Sequence, residues 1–199
     1  EVVEDGAPVI IAGFGRVGQI IGRILRMKRI AFTALDASAQ QVDVVRKFGA
    51  KAYYGDAGRR DLLRNAGAAT ARVLVVAVDD VATSIKIVEQ ARTHFPHLAV
   101  YARARNRQHA HLLMDLGATQ IVRETLHSSV RLTEAVLGAL GLAQPDVHRA
   151  AVQFIEHDEQ LLEAQHAIHH DEQQLVQSAH EAADELEELM HRDDHPEDA

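Results

Sequence analysis

The sequence contains no cysteine. That excludes a disulfide framework, a thiolate nucleophile and a thiolate metal site, and it suits a reducing compartment. Long apolar runs are missing as well. None approaches the roughly 18 to 20 residues that a helical membrane span requires, and no charged-then-apolar leader opens the chain. The sequence starts "EVVEDGAPV" without a methionine, as a piece excised from a longer protein would. Basic residues are scarce in one half only. From Gln144 onward 16 acidic residues face Arg149 and Arg192 alone, whereas the part before it carries 13 acidic and 19 basic residues. An acidic tail repels nucleic acid, and the diffuse basic excess of the front part makes no binding stripe, so no nucleic-acid partner is expected.

The 199 residues that remain to be explained are 47% hydrophobic, enough for one domain with a core plus an appendage. Apolar β-branched runs predict strands at Val9 to Ala12, Ala31 to Leu35, Lys51 to Tyr54, Arg72 to Val78, Ala99 to Ala102 and Thr119 to Val122. Helical patterns fill the gaps near 16–28, 38–48, 59–66, 81–94 and 106–116. Such alternation with short connections gives right-handed crossovers and a parallel sheet covered on both faces, an α/β doubly wound fold. Near-continuous apolar runs such as "RVLVVAV" fit strands buried on both faces.

Beyond the sixth strand, "ETLHSSVRLTEAVLGALG" reads as a helix that stops at Gly141, with Pro145 just after. It is taken as a crossover helix at 124–142. From Val147 the apolar residues follow 4-3 spacing, but the partner position of the seam is Asp158, Gln165 and Glu172 in the middle turns. So narrow a stripe predicts one long helix lying along a surface. The expected divisions are a linker at 1–6, a nucleotide-binding domain at 7–123, the crossover helix, an acidic helical tail at 146–190 and a frayed end at 191–199.

The candidate site begins at "VIIAGFGRVG", where Gly13, Gly15 and Gly18 follow a strand and open a helix. Gly13 permits a tight turn, Gly15 lets the backbone approach a pyrophosphate, and Gly18 lets the helix sit close on the strand. With Phe14, Arg16 and Val17 they form a loop and helix N-terminus whose free N–H groups suit phosphate. Asp36 ends the next strand, 18 residues past Gly18, where a carboxylate accepts both ribose hydroxyls and repels a 2′-phosphate. NAD(H) or AMP is therefore expected rather than NADP(H). Asp56 and Ala57 after the third strand, and Asp79 after the fourth, lie at the carboxyl edge where such sheets bind ligands. No room for a substrate domain with an acid or base follows the sheet, so a sensor is expected and not an enzyme. His166 and His170, with His169 beside them, have spacing that could hold a metal, but eight of the 13 histidines lie in the acidic tail. They are read as decorating a solvated face, with no metal.

Taken together, "IIAGFGRVGQIIGRIL", "RKFGAKAYYGDA", "RARNRQHAHLL" and "GATQIVRET" resemble the cytoplasmic RCK or KTN nucleotide-binding domain of Kef-type potassium efflux antiporters, across about residues 7–142. The resemblance implies a Rossmann-like fold, a homodimer, a covalently linked transmembrane antiporter and a place on the cytoplasmic face of the inner membrane. It implies control by glutathione or its adducts through residues that fall, by motif, on Arg23, Phe48, Arg123 and Asp158. Two arginines facing a tripeptide dianion make charge-assisted contacts. Asp158 departs from the pattern, since that family has a neutral amide there, and a carboxylate weakens the case for glutathione itself. The rival functions are a freestanding NAD-dependent oxidoreductase and a peripheral regulatory subunit of a potassium uptake system.

Overall fold

The structure, a computed structural model, describes residues 6–47 and 49–194, without the side chains of 191–194. It divides into two compact units that meet in sequence between Val122 and Arg123. The first alternates strand and helix: β1 (Val9–Ala12), α1 (Arg16–Met27), β2 (Phe32–Asp36), α2 (Ala39–Lys47), β3 (Lys51–Tyr54), α3 (Arg60–Asn65), β4 (Val73–Val76), α4 (Val81–His94), β5 (Ala99–Ala104), α5 (Arg107–Asp115) and β6 (Gln120–Arg123). The strands form one six-stranded sheet in the order β3-β2-β1-β4-β5-β6. Parallel registers such as Val9 opposite both Phe32 and Val73 place β1 at its centre.

This order follows from the sequence. Ile10, Ile11, Leu35, Leu74 and Val100 are all inaccessible to solvent, so the central strands need cover on both faces, and each crossover helix supplies it. Chain direction reverses its march across the sheet between β1 and β4, which opens a crevice at their carboxyl ends. β1 and β3 fall where the sequence predicts them, and the ends of the other strands differ from that expectation by one or two residues. The run at 72–78 narrows to Val73–Val76 because its last residues turn away, Ala77 still donating to the Ala12 carbonyl at 2.8 Å.

The second unit is helical: α6 (Leu126–Ala139), α7 (Gln144–His166) and α8 (Glu172–Asp194). α6 ends where Gly141 takes φ +96°, and Pro145 opens α7 in the first turn, where its missing N–H costs nothing. The single long helix expected of the tail is two helices. The chain turns over residues 167–171, and Asp171 restarts it by accepting from the N–H groups of Gln173 and Gln174 at 3.0 and 3.1 Å. Those bonds hold its carboxyl below the usual range, with the Gln174 N–H the largest cause. Ile168, assigned by spacing to a helical seam, lies in this turn. Gln165 at the end of α7 is buried and donates to Ser178 of α8 at 3.4 Å, a polar tie across the hairpin. Among the described residues no helix is long and apolar enough to cross a membrane.

Candidate nucleotide site and its surroundings

The glycine-rich loop lies between the end of β1 and the start of α1. Gly13 has φ +91°, and a Cβ there would stand 2.8 Å from the Val78 nitrogen, so the turn requires glycine twice over. A Cβ on Gly18 would run into the Gly13 carbonyl, because α1 packs directly against the loop. Gly15 differs from both. A Cβ there meets no atom of the described residues within 4 Å, so the fold itself does not demand a glycine. The missing side chain leaves open space beside the start of α1.

Gly15 is also the N-cap of α1, where no side chain caps the helix and no acidic residue stands in the first turn. The opening N–H groups of α1 are left facing out, with the positive end of the helix dipole behind them. Arg16 and Gly15 are exposed, Val17 half-buried. Phe14 contributes its main chain. Its ring is buried and stacks on Phe32 with centroids 5.8 Å apart.

Asp36 fixes the loop to the neighbouring strand. Its Oδ2 accepts from the Phe14 N–H at 2.6 Å and its Oδ1 from the Ser38 N–H at 2.7 Å. A carboxylate offers about four acceptor positions, so each oxygen retains capacity for a ribose hydroxyl. Farther along the edge, Asp56 accepts from the Gly58 N–H and from Lys86 Nζ, both at 2.7 Å. The Lys86 ammonium, and next the Gly58 N–H, hold its carboxyl below the usual range. Ala57 beside it is buried. Asp79 pairs with Arg103, whose guanidinium also donates to the Ala77 carbonyl at 3.2 Å. Asp80 instead caps α4, accepting from the Thr83 N–H at 2.8 Å.

Lys86 and Arg103 were not among the residues picked out from sequence. Lys86 sits within "TSIKIVEQ" at a helical spacing that does not separate it from a solvated lysine. Arg103 had a signal, alternation along β5: Ala102 and Ala104 face the core and Arg103 between them points to the other side.

Two of the residues assigned to an effector meet. Arg123 and Asp158 form an ion pair within the helical unit. Arg23 is exposed on α1 in the first unit. Phe48 lies outside the described residues.

Two family models match in succession: the TrkA-N domain over residues 9–124 and the potassium efflux system KefB C-terminal domain over residues 128–199. Among solved structures, the Shewanella denitrificans Kef CTD in AMP-bound form is 41% identical, with a TM-score of 0.75 over 80% of this chain and 98% of that one. The TrkA-N domain of inner membrane protein ybaL from Escherichia coli is 25% identical, with a TM-score of 0.62 over 67% of this chain and 98% of that one. The GsuK channel bound to NAD shares the fold at 19% identity and a TM-score of 0.59, over 65% of this chain and 24% of that one. The chain therefore belongs to the TrkA-N domain family, and its helical C-terminal part is a KefB C-terminal domain of the potassium efflux kind.

Proposed function

We propose that this chain is the ligand-sensing regulatory part of a potassium/proton efflux antiporter. It binds AMP or NAD(H) in the crevice above β1 and β4, and it passes the state of a dimer to a linked transmembrane part on the cytoplasmic face of the membrane. The observation that carries this reading is Gly15: a glycine the fold does not need, at an uncapped helix N-terminus, next to a loop held in place by Asp36. A phosphate would accept from the first N–H groups of α1, and the ribose hydroxyls would donate to Asp36. Support for AMP comes from the Kef CTD solved with it, which covers most of this chain. Bound nucleotide brings an anion and an adenosine for the chain to grip. The residues around it hold and orient it, and none is assigned a step of chemistry.

Two features favour a sensor over a freestanding oxidoreductase. Carboxylates at the crevice are already engaged as loop ties and caps, by Phe14, Ser38, Lys86, Arg103 and Thr83. The rest of the chain is a helical unit matched by an efflux-system family, which also speaks against a peripheral uptake subunit. Calorimetry with AMP, NADH and NADPH tests the reading. AMP and NADH should bind clearly tighter than NADPH, Asp36→Ala should erase most of that gap, and Gly15→Val should abolish binding while leaving the thermal transition in place. NADPH binding as tightly as NADH would sink the role given to Asp36.

A further inference from the structure

The geometry points to a transition-metal site at the turn between α7 and α8, with His169 and His170 as the ligand pair. Sequence spacing left these residues as ornaments of a solvated face, and the turn changes that. Had the tail continued as one helix, adjacent residues 169 and 170 would diverge by about 100° around its axis. Because α7 stops at His166, the rings of His169 and His170 instead lie 3.8 Å apart, tilted by 41°. Their ligand nitrogens are within 4.8 Å of one another. His166, in the last turn of α7, stacks on His169 with centroids 5.4 Å apart and planes 9° from parallel. The nitrogens of His169 and His170, each at the roughly 2.0–2.1 Å of a zinc–imidazole bond, would stand within that 4.8 Å separation of one another.

Electrostatics at the turn favour a cation. The last carbonyls of α7 present the negative end of that helix beside His166. The positive end of α8 is offset by the Asp171 carboxylate, which lies across its first N–H groups and accepts from the Gln174 side chain as well, at 2.7 Å. The chain carries a net charge of −8, which raises the local concentration of divalent ions around it. Neutral imidazole is a borderline-soft nitrogen donor, so the class of ligand is Zn²⁺, Ni²⁺ or Cu²⁺, with water completing the coordination. A hard ion such as Mg²⁺, which demands oxygen, does not fit. A metal held here would fasten the turn that fixes the α7–α8 hairpin.

The test uses the whole chain and two readouts. In calorimetric titration with ZnCl₂, a site of micromolar strength is expected at one ion per chain, weakened at least tenfold in His169→Ala/His170→Ala and absent for MgCl₂. With one equivalent of Cu²⁺, electron paramagnetic resonance of the wild-type chain should show coupling to two imidazole nitrogens. The chain carries 13 histidines, so a generic surface response is the competing outcome. Unchanged Zn²⁺ affinity in the double variant, or a Cu²⁺ spectrum without nitrogen coupling, overturns the assignment.

Discussion

Arg123, at the end of β6, and Asp158, in the middle of α7, meet as an ion pair whose side chains are only 10% and 14% exposed. The arginine that the family resemblance offers to an anionic effector is thus answered from within the chain. An external carboxylate at Arg123 must displace Asp158 or sit beside it, and like charges a few Å apart cost on the order of 1–4 kcal/mol at intermediate dielectric. Glutathione is therefore expected to bind weakly or not at all. Asp158→Asn keeps an oxygen for Arg123 to donate to, removes the competing charge, and should raise glutathione affinity about tenfold, equivalent to about 1.4 kcal/mol. Calorimetric titration of both forms with glutathione and a bulky adduct checks this, and tight binding that ignores the substitution counts against it.

The same pair makes a separate statement about stability. Deleting one member of a buried ion pair strands the other charge, at a cost of about 3–5 kcal/mol. Asp158→Ala should lower the unfolding free energy by about that amount in urea, and Asp158→Asn by distinctly less. Equal losses for both would mean that the charge of Asp158 is not what Arg123 needs.

Asp56 and Lys86 predict a pH dependence of known sign. Folding lowers the Asp56 carboxyl below its ordinary value, chiefly through the Lys86 hydrogen bond. The resulting stabilisation is complete above the unfolded value near 3.8 and disappears as pH falls through the lower folded value. Both side chains are about half exposed, so solvent screening limits the pair to about 0.5 kcal/mol. Urea unfolding of the wild-type chain and of Lys86→Met should differ by about that much at pH 7 and converge toward pH 2. A difference that grew on acidification would reverse the sign assigned here.

How far these features could be read from sequence depends on the range of the interactions that create them. The sheet was legible because buried parallel strands such as "VIIA" and "VLVV" are apolar throughout, and the glycine loop because Gly13 and Gly18 answer local steric demands. The pairing of Asp56 with Lys86 was not, since it spans 30 residues and depends on how α4 is rotated. Nor was the break at 167–171. Helix propensity there is ordinary, and the stop comes from Asp171 capping a new helix, a signal that a 4-3 apolar spacing running straight through Ile168 conceals. Residue type located Arg123 and Asp158 individually, but their opposition is a tertiary fact.

Catalysis is expected to be absent. With the carboxylates of the crevice committed to loop ties and caps, and the helical unit following directly, the bound nucleotide should not turn over. A panel of small alcohols, hydroxy acids and aldehydes with NAD⁺ or NADH should give no steady absorbance change at 340 nm above the buffer rate. Sustained, enzyme-dependent turnover would revive the oxidoreductase.

The last prediction concerns assembly and rests on α6. Leu132, Val136 and Leu140 recur every four residues along one face at 68%, 51% and 73% exposure, and Leu142 beyond the helix end is 47% exposed. No residue of α6 is buried, which is unusual for a helix with so many aliphatic side chains. Three leucines and a valine left in water forgo about 1.5–3 kcal/mol each relative to burial. A second copy laid against the same face by a twofold axis would recover that, because a self-complementary stripe contacts itself under such symmetry. Light scattering should accordingly give twice the 21.9 kDa of one chain. Leu132→Glu/Leu140→Glu places like charges opposite each other in the seam and should return the monomer without lowering the thermal transition of the nucleotide-binding unit. A wild-type chain that stays monomeric at high concentration would remove the dimer, and with it the route by which ligand state reaches a membrane partner.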